Sequence, residues 1–189
     1  IFSRCLGFDH CRYNGNIIQE PAVEHIKPFV EIETVCPEVE IGLGVPRDPI
    51  RLVGDPVDPR LVQPTTGLDV TKRMQDYAEE CLDRLGSPDG FVLKSASPSC
   101  GVREVKCYVN EKRGAASKKT QGMFGRAVLS RFRGCVLEDE GRLKNFDIRQ
   151  HFLTRLFAQA RFRSLFSAPS MRALIAFHSK HKMLFMAYN

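Results

Sequence analysis

Three cysteines stand in three short blocks far apart in the chain, Ser3-Arg4-Cys5-Leu6-Gly7, Val35-Cys36-Pro37-Glu38 and Ser97-Pro98-Ser99-Cys100-Gly101, and each block begins where an apolar run ends. Parallel strands deliver all their carboxyl ends to one edge, so loops from distant parts of a sequence can meet there and share a metal group. Soft thiolates select iron–sulfur clusters or zinc, and the wide spacing lacks the compact pairing of small zinc knuckles. Three thiolates would leave a four-iron cluster with one iron lacking a protein ligand, and that open position is where chemistry would take place. Cys11, close to Cys5, is the rival ligand at this stage, and zinc is the rival metal.

The elements that must position these blocks follow from periodicity. Phe29–Val35 is rich in β-branched residues and halts at Cys36-Pro37, and Gly90–Lys94 halts before the Ser- and Pro-rich loop at Ser95, so both are predicted strands ending at a motif. Between them Asp69 is placed to cap a helix in which Val70, Met74, Tyr77, Ala78, Cys81, Leu82 and Leu85 recur at three-to-four spacing, which puts Cys81 in the core. Residues 46–66 carry Pro46, Pro49, Pro56, Pro59 and Pro64 among scattered apolar residues and are predicted as a long covering loop. Met123, Ala127, Val128 and Phe132 mark a helix over Lys118–Phe132, followed by the apolar run Cys135-Val136-Leu137. Cys107 and Cys135, in strand-like contexts, are expected to be packed inside. The alternation of strands and helices predicts an α/β fold, a mostly parallel sheet sandwiched by helices, with a C-terminal helical extension.

That extension has two helical patterns, Ile148 to Phe162 and Met171 to Phe185, on either side of Pro169. It is also where the charge lies. Of the net +6, residues 142–189 hold nine Lys and Arg against Asp147 alone, while residues 1–141 hold 19 against 21 acidic residues. Such asymmetry suggests a basic appendage for a polyanion on a near-neutral body, with Arg149, Arg155, Arg161 and Arg163 as a backbone-contact strip. His178 and His181 are assigned to surface or interdomain packing. Residues 1–145 are read as the catalytic domain and 146–189 as the start of a second one, with further chain expected before Ile1 and after Asn189. No run of about 18 apolar residues and no leader pattern is present, so no membrane association and a cytoplasmic location are expected. Seven cysteines in a reducing compartment are metal ligands, nucleophiles or core residues more often than disulfides.

Together the blocks Ser3-x-Cys5-Leu6-Gly7, Arg12-Tyr13-Asn14-Gly15, Cys36-Pro37-Glu38-Val39-x-x-Gly42-Leu43-Gly44-Val45-Pro46-Arg47 and Lys94-Ser95-x-Ser97-Pro98-Ser99-Cys100-Gly101 resemble the TudS-type thiouracil desulfidases over residues 1–145. The first block has Cys5-Leu6-Gly7 where many of those relatives carry an additional Leu. The segment from Phe157, with Ala176-Phe177-His178-Ser179-Lys180-His181-Lys182, is similar to the start of the second domain of the RudS-type proteins, which remove sulfur from 4-thiouridine in tRNA. The resemblance implies a 4Fe-4S cluster held by Cys5, Cys36 and Cys100, with the fourth iron free for the substrate's sulfur.

Glu38, two residues after Cys36 and near other carboxylates in sequence, is the candidate general base, with Glu40 as its substitute. Ser97 is the candidate for assisting proton movement or donating to a developing anion, and Ser99 can take its place. Lys94, Arg12, Tyr13 and Asn14 are candidates for holding the pyrimidine or its phosphate. The expected reaction is non-redox hydrolysis of a carbon–sulfur bond in 4-thiouridine of tRNA or in free thiouracil. A cluster-bearing sensor or sulfur carrier would use the same cysteines without needing Glu38.

Overall fold

The structure, a computed structural model, describes residues 1–187. Its strands are β1 (Phe2–Ser3), β2 (Thr34–Val35), β3 (Arg51–Gly54), β4 (Pro59–Gln63), β5 (Leu68–Asp69), β6 (Gly90–Leu93), β7 (Val105–Tyr108), β8 (Ser117–Thr120) and β9 (Val136–Asp139). The helices are α1 (Pro21–Ile26), α2 (Pro37–Glu40), α3 (Thr71–Arg84), α4 (Met123–Arg131), α5 (Phe146–Ser164) and α6 (Met171–Ala187).

A four-stranded sheet in the order β2-β1-β6-β9 is parallel throughout. Along β6, Phe91 and Leu93 face one core with α3, α4 and the second sheet, while Val92 faces another with Phe2, α1 and α5. A strand covered on both faces has to be apolar at every position, which is why Gly90-Phe91-Val92-Leu93 is unbroken by polar residues. The predicted parallel α/β sheet between helices is thus present.

A second sheet, β5-β4-β3-β7-β8, stands where the proline-rich covering loop was expected. Its prolines fall at strand ends: Pro49 before β3, Pro59 opening β4 and Pro64 just past it, where no ladder donor is required. Leu52 and Leu61 pair across β3 and β4 and are fully buried in the core with Val105 and Cys107 of β7. β3 and β7 are parallel, and the other pairings are antiparallel.

Two further boundaries differ from expectation. Of the predicted strand Phe29–Val35 only Thr34–Val35 pairs in a ladder, because Phe29, Glu31, Ile32 and Glu33 face solvent and offer no apolar face to hold a sheet edge. Residues 117–120 form β8 instead of opening α4, since Ser117 to Thr120 pair with Tyr108 to Val105. The α3 stripe is as expected, with Met74, Ala78, Cys81 and Leu82 buried, but the N-cap is Val70; Asp69, one residue earlier at the end of β5, accepts from Thr71 N at 2.9 Å.

Helix α5 is fastened to the parallel sheet, with Phe152 and Leu156 buried among Phe2, Val92 and Val136. A Cβ on Gly90 would lie 2.7 Å from Leu156 Cδ1, so the helix sits directly on the strand backbone. The packing therefore runs without a break across the expected boundary at 145. On α6, His181 is buried and stacked on Phe177 at 4.1 Å, while His178 is exposed. The second tail pattern, Met171 to Phe185, falls on α6, and Tyr188 and Asn189 lie outside the described residues. No helix among the described residues is long and apolar enough to cross a membrane.

Candidate active site

The carboxyl ends of β1, β2, β6 and β9 open on one edge, and the next residues are the Cys5 loop, Cys36, the loop from Lys94 to Cys100, and Glu140. The strand order reverses between β1 and β6, the position at which open α/β sheets leave a crevice for ligands. A cavity of about 280 Å³ lies there, and Cys5, Cys11, Cys36 and Cys100 all line it.

Local chemistry fixes each wall. Cys36 caps α2, whose Pro37 occupies the first helical position without wasting a donor, and the Val39 and Glu40 amides close on the Cys36 carbonyl at 3.1 Å. Ser97 Oγ accepts from Ser99 N at 3.2 Å and Cys100 N at 3.0 Å, folding the third cysteine block into a side-chain-braced turn. The first turn of α4 locks that turn in place: Gly122 N donates to Gly101 O at 2.6 Å, Met123 N to Pro98 O at 3.0 Å and Gly125 N to Ser99 O at 2.9 Å. Ser3 Oγ accepts from Lys94 N at 2.9 Å and ties the β1 and β6 ends together.

Without a cation the surroundings of Cys11, Cys36 and Cys100 favour the protonated thiol. Burial raises the Cys100 thiol far above its ordinary value, and contact with Cys11 together with burial does the same to Cys36. The Cys36 contact pulls Cys11 down, but the Cys5 contact and burial outweigh it and leave Cys11 at about 11. A bound metal reverses this balance, since thiolates are the ligands and loading releases their protons. The donor set suits a group larger than one ion. Among the described residues no three His, Cys, Asp or Glu side chains converge closely enough to hold a single metal, whereas several thiols surround one cavity. Soft thiolate donors around one cavity fit an iron–sulfur cluster.

Glu38 lines the same cavity, but its surroundings are not the acidic ones its neighbours in sequence suggested. Arg47 meets Oε2 through Nη2 at 2.7 Å and Nε at 3.0 Å, and Ser99 Oγ donates to Oε1. Glu40 turns away to Arg4. The Arg47 side chain is only 4% exposed; it also donates to the carbonyls of Gly44 at 2.8 Å and Cys11 at 3.0 Å, so one guanidinium positions the carboxylate and the Cys11 loop together.

Ser97 lines the cavity, with its Oγ 3.4 Å from Ser99 Oγ, while Ser99 is fully buried behind it. Lys94 lines it too, yet its Nζ is engaged by Glu140 Oε1 at 2.6 Å, Ser95 O at 2.9 Å and Ser95 Oγ at 3.0 Å. Burial acts to raise Glu140, and the bonds from Lys94 and from Ser95 N and Oγ outweigh it, holding the carboxyl below the usual range. Arg12 and Tyr13 reach the wall; Asn14 does not, and its Oδ1 accepts from Asn16 N at 3.2 Å within the turn. Sequence reasoning assigned no role to Arg47, Glu140 or Ser95. Glu140 follows an apolar run just as each cysteine does, so its signal was the strand-end position, while the signal for Arg47 was its place at the close of the Cys36 block.

Fold and site define an α/β protein with a thiol-walled cavity at the switch point of a parallel sheet, suited to a thiophilic metal group. The family model for 2-thiouracil desulfurase matches residues 1–140, and the chain belongs to that family. It is similar to the uncharacterized protein YbbK of Bacillus subtilis (strain 168), 29% identical over 108 residues that cover 53% of this chain and 72% of YbbK. It is also similar to the solved structure of a 4Fe-4S-dependent thiouracil desulfidase, TudS, with a TM-score of 0.60 and 28% identity over 79% of this chain and 95% of that one.

Proposed function

We propose that this protein is a desulfidase that replaces the sulfur of a thiolated pyrimidine with oxygen from water, with a 4Fe-4S cluster held by Cys5, Cys36 and Cys100. The observation that carries the reading is the meeting of thiols from three strand ends with the Glu38 carboxylate on the wall of one cavity. Membership of the family and the likeness to TudS support it. When bound, the cluster supplies a Lewis-acidic iron without a protein thiolate, suited to the sulfur of a thiocarbonyl.

The protein's own groups do the rest. Glu38, held in place by Arg47 and Ser99, takes a proton from water as that water attacks the carbon bearing sulfur. The Ser99 hydroxyl, buried behind the wall, and the Ser97 hydroxyl on it, 3.4 Å apart, continue from Glu38 and carry the proton back toward the leaving sulfur. Arg12 and Tyr13 hold the ring, and Lys94 with Glu140 braces the loop facing it. Water and a thiocarbonyl give a carbonyl and hydrosulfide with no net change in oxidation state, so the reaction needs no external reductant. Cys11 serves as a neighbour of the ligands and not as a ligand, which keeps one coordination position open.

The finer substrate reading is 4-thiouridine in tRNA, with free thiouracil as the smaller alternative, and the net charge of +6 supports it. The tail strip contributes less than its composition suggests: Arg163 pairs with Asp89 at 2.7 Å and Arg149 Nη1 donates to Leu143 O at 2.8 Å. The test is anaerobic reconstitution with iron and sulfide of the protein and its Cys5→Ser, Cys11→Ser, Cys36→Ser and Cys100→Ser forms, followed by turnover of 4-thiouracil. Only Cys11→Ser is expected to keep the cluster absorbance and sulfide release. A stable cluster with no turnover on tRNA or free thiobases would turn the reading to a sensor or sulfur carrier.

A further inference from the structure

Residues 103–119 hold six Lys and Arg against Glu104 and Glu111, inside a body whose overall charge conceals them. In the ladder of β7 and β8, Lys106 stands directly opposite Lys119. Directly opposed side chains in an antiparallel pair have Cβ atoms about 5 Å apart, and like charges there destabilise the sheet. Lys106 alternates with Val105 and Cys107, which are buried in the core, so the lysine pair lies on the outer face of the second sheet. Arg51 of β3 is on the same face, its guanidinium 5.0 Å from the ring centre of Tyr108. The loop joining β7 to β8 adds Lys112 and Arg113, both exposed. Among the described residues Lys106, Lys112, Arg113 and Lys118 form no ion pair; Lys119 pairs with Glu104 at 3.2 Å, and Glu111 is taken by Arg60 at 3.2 Å.

Lysines on an edge strand guard against unwanted strand pairing, and β8 is an edge. That accounts for Lys118 and Lys119. It does not account for Lys106 on the inner strand of the pair, nor for Arg51 one strand further in. Ile50 lines the thiol cavity, so the strand that carries Arg51 starts beside that cavity.

We infer that the outer face of the second sheet, with Arg51, Lys106 and Lys119 and the hairpin-tip Lys112 and Arg113, is the docking surface for the phosphate backbone of the RNA whose thiolated base enters the cavity. The inference rests on the desulfidase reading and places the polyanion contact on the body in preference to the tail. Lys119 is paired with Glu104 Oε2 at 3.2 Å, whereas Lys106 opposite it has no ion pair among the described residues; a phosphate would supply the anion that Lys106 lacks, and Tyr108 offers an aromatic surface among the cations.

The test measures binding of an unmodified tRNA transcript, which needs no turnover, across a range of salt. In K106Q/K119Q the expected loss is about tenfold in affinity near 0.1 M salt, with a salt slope smaller by about two. Its melting temperature should stay close to that of the unsubstituted protein, because the Lys106–Lys119 opposition and the exposed Lys119–Glu104 pair are lost together, and turnover of free 4-thiouracil should match the unsubstituted protein. R155Q/R161Q/R172Q, in the tail, should bind as the unsubstituted protein does. Unchanged RNA binding by K106Q/K119Q, a loss confined to the tail variant, or equally tight lysine-dependent binding to phosphatidylserine vesicles would each overturn the inference. Absence of turnover on any thiobase would sink the desulfidase reading instead and would leave the binding measurement readable by itself.

Discussion

At the scale of single residues, the site turns on how much of Glu38's behaviour comes from what touches it. The sequence placed it beside carboxylates; the fold places it between a guanidinium and a hydroxyl, with Arg47 and Ser99 each holding one oxygen. Proton transfer by a positioned group contributes about 10² to 10⁴ in rate. Glu38→Gln is therefore expected to keep cluster absorbance and lose turnover by that factor, as measured by sulfide release. Cys11 allows a separate check. Its value is raised in the folded state from an ordinary 9.0 to about 11, so it contributes stability that is fully present below about pH 9 and is lost as pH rises through 11. Metal-free protein should accordingly lose stability over that window, and Cys11→Ser should lose less of it, as read by denaturant midpoints at pH 7, 9 and 10.5. The cysteine blocks were legible because each ends an apolar run. The partners were not, since Arg47 lies nine residues from Glu38 and Ser99 lies 61 away, and only the fold brings them to one carboxylate.

At the scale of elements, α3 and the parallel strands were readable from periodicity, and the second sheet was not. Proline was taken as a mark of irregular chain over 46–66, yet each strand there is only four or five residues and fits between the prolines. Lys118–Thr120 fall inside the expected helix because they are polar and lack alternation; their pairing with β7 comes from tertiary context. The element with most leverage on the site is α4, whose first turn is bonded to the third cysteine loop. A Cβ at Gly125 would lie 2.6 Å from Gly101 O and 2.8 Å from Cys100 O, both backbone atoms with little freedom to move. Gly125→Ala is expected to cost about 1–3 kcal/mol and to impair cluster loading, seen as a lower melting temperature and less iron per chain after reconstitution.

At the scale of the molecule, one parallel sheet gathers the cysteine loops and a second sheet stands beside it. The second sheet is where sequence composition misled most. Counted over 1–141 the body is slightly acidic, which concealed a basic hairpin, while the tail that carried the obvious charge spends Arg149 and Arg163 on contacts with its own chain. Helix α5 is part of the body's packing through Phe152 and Leu156, so charge and packing divide the chain at different places.

The most direct measurement is single-turnover conversion of 4-thiouracil by the reconstituted protein in ¹⁸O-labelled water, anaerobically and without added reductant, with product mass and free sulfide followed together. The expected result is one labelled oxygen in the product and one sulfide released per base converted. Conversion that requires a reductant, or a product whose oxygen does not come from water, would contradict non-redox hydrolysis at this site.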